Sequence, residues 1–245
     1  MTAVSIQTKL VHQIWQGDSA ELCKRFQPKK RVQCIITDPP FGVDNQSNMA
    51  KTVEGKVNAR KIANDSSPEI AINVFNQVMD SLLPATVDEC DMYIFTAHQV
   101  LKEWLAVADD LRRHGFRRCG ILVWQKDGPG MGDLEGSWGM GHEFIIFMKK
   151  GSRPRSAPRR SGVLAIPQLR PGDLIHPHEK PTALLQELIR FSTDPGDFIV
   201  DPFCGSGSTV RAARELGRSA VAIELDENNF HIANNKLASQ EQAMF

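Results

Sequence analysis

The chain reads as an α/β protein with a mostly parallel sheet covered by helices on both faces. Short apolar runs rich in β-branched residues alternate with stretches of helical period along most of its 245 residues, the pattern of strand–helix–strand units. A hydrophobic fraction of 41% and a charged fraction of 24% are ordinary for a globular chain. A chain of this length buries a sizeable core without metal or disulfide help. It is read as a single domain, 1–245.

Strands are predicted at 10–15, 32–37, 92–96, 120–124, 144–148, 198–200 and 220–223. Helices are predicted at 19–26, 68–83, 100–113, 181–192, 208–216 and 227–237. Two stretches break the alternation. Residues 42–67 are polar, and 149–172 are rich in Pro, Ser, Gly and Arg. Both read as long loops, and loops of that length are usually functional or disordered.

The composition excludes several classes. Formal net charge is zero, so affinity for a polyanion must come from a local patch. The five cysteines are odd in number, irregularly spaced and without a CxxC pair, which argues against zinc and disulfide frameworks. A reducing cytoplasm is the expected compartment. No signal peptide or membrane-length apolar run is expected.

The strand 32–37 ends directly in Asp38-Pro39-Pro40-Phe41. Neither proline can donate to a sheet ladder, so Asp38 falls at the carboxyl edge of the strand. In open α/β sheets ligands bind at that edge. Asp-Pro-Pro is also good turn chemistry, and that reading stands beside the functional one. The functional reading concerns an aromatic amine, a poor nucleophile because its lone pair is delocalised into the ring. A carboxylate and a proline carbonyl accepting its two hydrogens would draw the nitrogen toward tetrahedral geometry. Phe41 offers a flat face on which a base could stack.

The strand near 198–200 leads into Asp201-Pro202-Phe203-Cys204-Gly205-Ser206-Gly207-Ser208-Thr209 and then a helix. Gly205 and Gly207 permit a tight turn and close approach of a ligand. The full GxGxxG pattern is absent, because position 210 is valine, and no lysine follows to make a phosphate loop. Asp201 would repel a phosphate and suit a cationic amino-acid group. The next strand ends at Glu224, which suits two ribose hydroxyls or is simply a surface carboxylate. Asp226 is the alternative ribose ligand.

Three weaker features accompany these. Gly17-Asp18 ends the first strand, with Asp18 a helix cap, a ligand or both. His176-Pro177-His178-Glu179-Lys180-Pro181 precedes a helix. Its two histidines alone make a poor metal site, so no metal is expected. Trp124-Gln125-Lys126, a glycine-rich stretch and His142-Glu143-Phe144 follow the middle strands. Trp124 reads equally as a core aromatic or as a wall of a base pocket.

Taken together, these motifs resemble the DNA N6-adenine and N4-cytosine amino-methyltransferases. The order (Asp-Pro-Pro-Phe, basic loop, Lys-Pro, glycine loop) resembles their permuted, beta-class group, and the likeness spans almost the whole chain. The resemblance implies a Rossmann-like S-adenosylmethionine-dependent methyltransferase fold with a seven-stranded sheet and circularly permuted motif order. It also implies a target base flipped from double-stranded DNA. Asp38 and the Pro39 carbonyl would hold the amine, and Phe41 would stack on the base. Asp18, Lys180, Pro181, Asp201, Phe203, Gly205, Ser206, Gly207, Ser208, Thr209 and Glu224 would line the cofactor site, Lys180 and Pro181 beside its methionine end.

Between 149 and 160 lie six basic residues and no acidic one. Lys150, Arg153, Arg155, Arg159 and Arg160 are expected to contact DNA phosphates, although most charge runs are solvated surface. Residues 42–67 are expected to share that work. So short a recognition segment also points to a homodimer. Adenine N6 is preferred over cytosine N4, because enzymes of the latter kind more often carry serine in place of Asp38. Methylation of RNA or of a protein amide, a non-catalytic nucleic-acid-binding module and an NAD-dependent dehydrogenase are the competing readings. The last lacks the third glycine and a proton-transfer residue.

Overall fold

Burial on both faces dictates the composition of the central strands, whose successive side chains enter two separate cores. In a computed structural model, residues 10–26, 31–44, 62–128, 136, 138–153, 159–170 and 179–242 are described. Eight strands form one sheet: β1 (His12–Gln16), β2 (Val32–Thr37), β3 (Thr86–Thr96), β4 (Phe116–Gln125), β5 (His142–Lys150), β6 (Val163–Ala165), β7 (Phe198–Asp201) and β8 (Ser219–Glu224). Their order is β1-β8-β7-β2-β3-β5-β4-β6. All pairings are parallel except those of β5 with β3 and β4. The expected mostly parallel sheet is therefore present, with eight strands in place of seven.

The helices are α1 (Ser19–Leu22), α2 (Pro68–Leu82), α3 (Leu101–Asp110), α4 (Thr182–Ser192), α5 (Ser208–Glu215) and α6 (Glu227–Gln242). One core gathers Ile35, Met92, Ile94, Val221 and Ile223 with Phe75, Met79, Leu82 and Trp104 from α2 and α3. The other gathers Cys34, Ile36, Tyr93, Phe95, Ala220 and Ala222 with Leu184, Leu188, Val210 and Ala233 from α4, α5 and α6. Neighbouring residues of β2, β3 and β8 thus divide between the two faces, as the two-residue strand period requires.

The two largest differences from expectation have physical reasons. β6 lies inside the stretch expected to be loop. It is three residues long, largely exposed and pairs only with β4 among the described residues, so it carries no burial pattern to read. β3 begins at Thr86, ahead of the expected 92, because polar Asp88, Glu89 and Asp91 mask its start. Asp91 is buried there and accepts a hydrogen bond from Ser192 (2.6 Å), whose hydroxyl also meets that of Tyr93 (2.5 Å).

Caps agree with the local sequence. Ser67 caps α2, which opens on Pro68, and Asp18 caps α1 by accepting from the Glu21 N–H. None of the cysteines is in a disulfide: Cys23, Cys34, Cys90 and Cys204 are buried and Cys119 is exposed. Among the described residues no helix is long and apolar enough to cross a membrane, and no group of three or more His, Cys, Asp or Glu side chains could hold a metal ion.

Phe75 is fully buried and meets the Trp104 ring edge-on, with centroids 5.2 Å apart. Phe75→Ala is expected to lower stability by about 3–5 kcal/mol, read from the urea unfolding midpoint. A loss under about 1 kcal/mol would show that this core collapses freely around the cavity.

Candidate functional site

Strand order decides which motifs meet. β2 and β7 are parallel neighbours, with Val32 opposite Phe198 and Ile35 opposite Val200. Asp38 follows the end of β2 and Asp201 ends β7, so both lie at the carboxyl edge of adjacent strands. The two carboxylates are close enough for Asp38 to raise the pKa of Asp201. β8 and β1 continue the same edge. Gln16 lies opposite Glu224, and the Gly17 N–H donates to the Glu224 carbonyl (2.9 Å).

The glycine loop is shaped by its own backbone. Gly205 and Gly207 have φ of 50° and 74°, the left-handed region that glycine tolerates. A Cβ on Gly207 would lie 2.9 Å from Ile14 Cδ1 and 3.1 Å from Ala233 Cβ. The Cys204 N–H donates to the Ile223 carbonyl (3.0 Å), which ties the loop to β8. Ser19 donates to the Pro202 carbonyl (2.6 Å), which ties it to α1. Ser206 and Ser208 are buried with their hydroxyls 3.1 Å apart.

Two acids face this loop. Asp201 is buried and accepts from the Thr209 hydroxyl (2.5 Å) and the Phe203 N–H (3.1 Å). Desolvation by burial pushes its pKa up to about 7, with the nearby charges of Asp38 and Glu224 adding to the rise. No cation among the described residues pairs with it. Glu224 is held at both oxygens, accepting from Gly205 N–H (2.8 Å) and Asp226 N–H (2.9 Å). Burial raises its pKa as well. A carboxylate has about four acceptor sites, so an oriented Glu224 still has capacity for two hydroxyls. Together, a buried acid without a cation, an oriented acid at the next strand end and a glycine turn fit a ligand with an ammonium at one end and a ribose at the other. Asp18 is exposed and works as the α1 cap, on the same edge as Glu224.

Asp38 has a different environment. Lys180 Nζ lies 2.6 Å from its Oδ2 and 3.2 Å from Glu143 Oε2. The ammonium also sits over the Phe95 ring, 5.1 Å from its centroid. The two carboxylates raise the Lys180 pKa against the opposing effect of burial. Glu143 also meets Lys126 Nζ at 2.7 Å. Lys180 and Lys126 hold its carboxyl down at about 2 despite burial. Lys180, expected beside the cofactor, thus has its ammonium on the carboxylate of the Asp-Pro-Pro-Phe motif. Pro39 is buried, while Pro40 and Phe41 are partly buried. Phe41 packs against both cores, and its carbonyl accepts from Trp104 Nε1 (3.2 Å). An open depression of about 500 Å³ is lined by Gln125, Lys126, His142 and Phe144 among others.

The basic residues do not gather here. Lys149 and Lys150 belong to β5, opposite Asp91 and Cys90 at the amino end of β3. Lys150 donates to Thr86 (3.1 Å). Arg153 pairs with Asp194 and Asp197 (2.6 Å to the latter), just before β7. Lys150 and Arg153 therefore sit at the amino edge of the sheet, away from Asp38. Antiparallel β5 carries the first residues of the basic run, Lys149 and Lys150, down to that edge. Arg160 pairs with Glu187 of α4, and Arg159 is exposed. Arg155, most of 42–67, and His176, Pro177 and His178 lie outside the described residues.

Lys126, Glu143 and Glu179 lie in segments noted in the sequence, but none is given a role there. Glu179 is buried and takes Arg211 and Lys236 at 2.7 Å each, fixing the segment ahead of Lys180 to α5 and α6. Nothing local marks these residues, because their partners are remote along the chain. The place of Trp124 is settled by burial. Its ring is 2% exposed, and Nε1 donates to the Ile166 carbonyl (2.7 Å), so it is a core aromatic.

Comparison with known proteins shows the family and the fold. A family model described as DNA methylase matches residues 32–235. Type II methyltransferase M2.DpnII of Streptococcus pneumoniae is 40% identical over an alignment of 263 positions, covering 95% of this chain and 90% of that protein. The crystal structure of an M1.HpyAVI–SAM complex superposes with a TM-score of 0.68 at 23% identity, covering 91% of this chain and 98% of the other. The cytosine-N4-specific PvuII DNA methyltransferase superposes with a TM-score of 0.70 at 17% identity, covering 93% and 86%.

The raised pKa of Asp201 has a thermodynamic consequence. Between about pH 4 and 7 the folded chain keeps a proton that the unfolded chain has lost, so this group makes stability fall as pH rises. Asp201→Asn is expected to raise the urea midpoint of the ligand-free chain at about pH 8, with the gain shrinking toward pH 4. Equal midpoints at the higher pH would contradict a buried, uncompensated Asp201.

Proposed function

The chain belongs to the N6/N4 DNA methylase family, and from that premise we propose that it methylates N6 of adenine in double-stranded DNA. It is a DNA methyltransferase, and its methyl donor is S-adenosylmethionine. The observation that carries the finer reading is Asp38, a carboxylate at the end of β2 beside the glycine loop of β7.

S-adenosylmethionine supplies an electrophilic methyl group on a sulfonium. Asp201 binds the ammonium of its methionine, and Glu224 binds its ribose hydroxyls. Gly205 and Gly207 let the backbone approach closely, while Ser206, Ser208 and Thr209 fix the loop and the Asp201 rotamer. Phe203 and Pro181 wall the site, and Asp18 borders it beyond Glu224. On the DNA side, the Asp38 carboxylate and the Pro39 carbonyl accept the two hydrogens of the flipped amine, and Pro40 and Phe41 support the ring.

Once bound, the sulfonium would give its methyl to the amine lone pair, with sulfur keeping the electron pair of the broken carbon–sulfur bond and the surplus amine proton passing to water. The Lys180 ammonium lies 2.6 Å from the Asp38 carboxylate and orients it. Asp38 acts by accepting a hydrogen bond from the amine. Arg159 and Arg160 remain the basic residues we assign to phosphate contact, together with the polar segment 42–67. A second copy of the chain completes the grip on the duplex. A species that sediments as a monomer, both free and on DNA, would contradict that last point.

Asp38→Ala is expected to bind S-adenosylmethionine normally by calorimetry and to lose methyl transfer by a factor on the order of 10² or more. Near-normal turnover of that variant would remove Asp38 from the reaction. Nucleoside analysis of DNA methylated by the wild type is expected to yield N6-methyladenine. N4-methylcytosine alone would make cytosine the substrate.

A further inference from the structure

Four alternating charges run along the carboxyl edge of the sheet: Lys126, Glu143, Lys180 and Asp38. Their contacts are 2.7 Å, 3.2 Å and 2.6 Å in turn. All four side chains are largely buried, with exposures of 20%, 19%, 11% and 25%. Asp38 comes from the end of β2 and Glu143 from the start of β5, with β3 between them. At about 5 Å per strand spacing the two strands are ~10 Å apart, and the long Lys180 side chain spans the gap. The ends of β4 and β5 are locked by the Lys126 N–H donating to the Gly141 carbonyl (2.8 Å). Glu143 therefore projects from a fixed strand end, whereas Lys180 and Asp38 project from connecting segments.

We propose that Glu143 is a positioning residue for methyl transfer, acting through Lys180 to fix the carboxylate of Asp38, with Lys126 orienting Glu143 in turn. This rests on the reading of Asp38 as the acceptor of the amine hydrogens. A lysine on four methylenes with one carboxylate partner has many accessible positions. A second carboxylate on a rigid strand removes that freedom, and Asp38 inherits the constraint. Stability alone is a poor reason to keep these groups, since desolvating ion pairs offsets most of their attraction. Placement is the better reason, because a misplacement of about 1 Å in a reacting group can cost on the order of 10²-fold in rate.

The test uses the full chain, tritiated S-adenosylmethionine and amplified DNA free of methylated bases. Glu143→Gln is expected to lower kcat by roughly tenfold to a hundredfold. KM for DNA and the Kd for S-adenosylmethionine are expected to stay within about threefold, because Glu143 touches neither ligand. Glu143→Asp is expected to recover part of the loss. Should Glu143→Gln fold poorly with two ammonium groups left under-compensated, the charge-balanced Lys126→Gln/Glu143→Gln variant takes its place. Its melting temperature is expected to recover while kcat stays low, which a merely structural role would not produce. Wild-type kcat in the folded double variant, or a loss carried wholly by KM or Kd, overturns the proposal. The outcomes also separate it from the underlying reading. An inactive Asp38→Ala beside fully active Glu143 variants sinks only the positioning role, whereas an active Asp38→Ala sinks the reading beneath it.

Discussion

The parallel pairing of β2 with β7 is the constraint on which the rest depends. It sets the end of one motif-bearing strand beside the end of the other, about one strand spacing apart. In the proposed reaction a methyl group held above β7 would face an amine held above β2. Each flanking strand extends one half of the site. β8 and β1 add Glu224 and Asp18 on the glycine-loop side, while β3, β5 and β4 add Phe95, Glu143 and Lys126 on the Asp38 side. Both halves occupy the carboxyl edge, the place where crossover connections leave an open crevice in such sheets.

The electrostatics of the two halves are opposite in kind. Around Asp38 the carboxylates meet cations: Asp38 has Lys180, and Glu143 has Lys180 and Lys126. Beside the glycine loop Asp201 has only neutral donors among the described residues, and burial lifts its pKa. The charges of the first half are thus paired within the chain. The second leaves Asp201 without a cation among the described residues, which is why the proposed function seats an ammonium there.

Rigid support comes from a further set of buried ions. Glu179 gathers Arg211 of α5 and Lys236 of α6, and Arg211 also reaches Ser208 (3.0 Å) at the start of α5. The segment that delivers Lys180 to Asp38 is thereby tied to the helix that follows the glycine loop. The permuted order of the motifs has no bearing on this geometry, because the pairing of strand ends does not depend on which strand the chain makes first.

The sequence by itself determined the alternating architecture, the seven longer strands and the two motifs, because each is written in contiguous residues. A strand period, a pair of prolines or two glycines act through the local backbone. It also placed Asp38, Asp201 and Glu224 at strand ends, since each directly follows or closes an apolar run. Tertiary structure alone decided what those ends face. Lys180 meets Asp38, Glu143 bridges two lysines, Arg153 is neutralised by Asp194 and Asp197, and Trp124 turns inward to Ile166. Charge counted along a chain cannot reveal such pairings, because the energy of an ion depends on its neighbours in space and on the water they exclude. For the same reason a run of six basic residues looked like one surface and was divided by β5, which carried its first members to the far edge of the sheet.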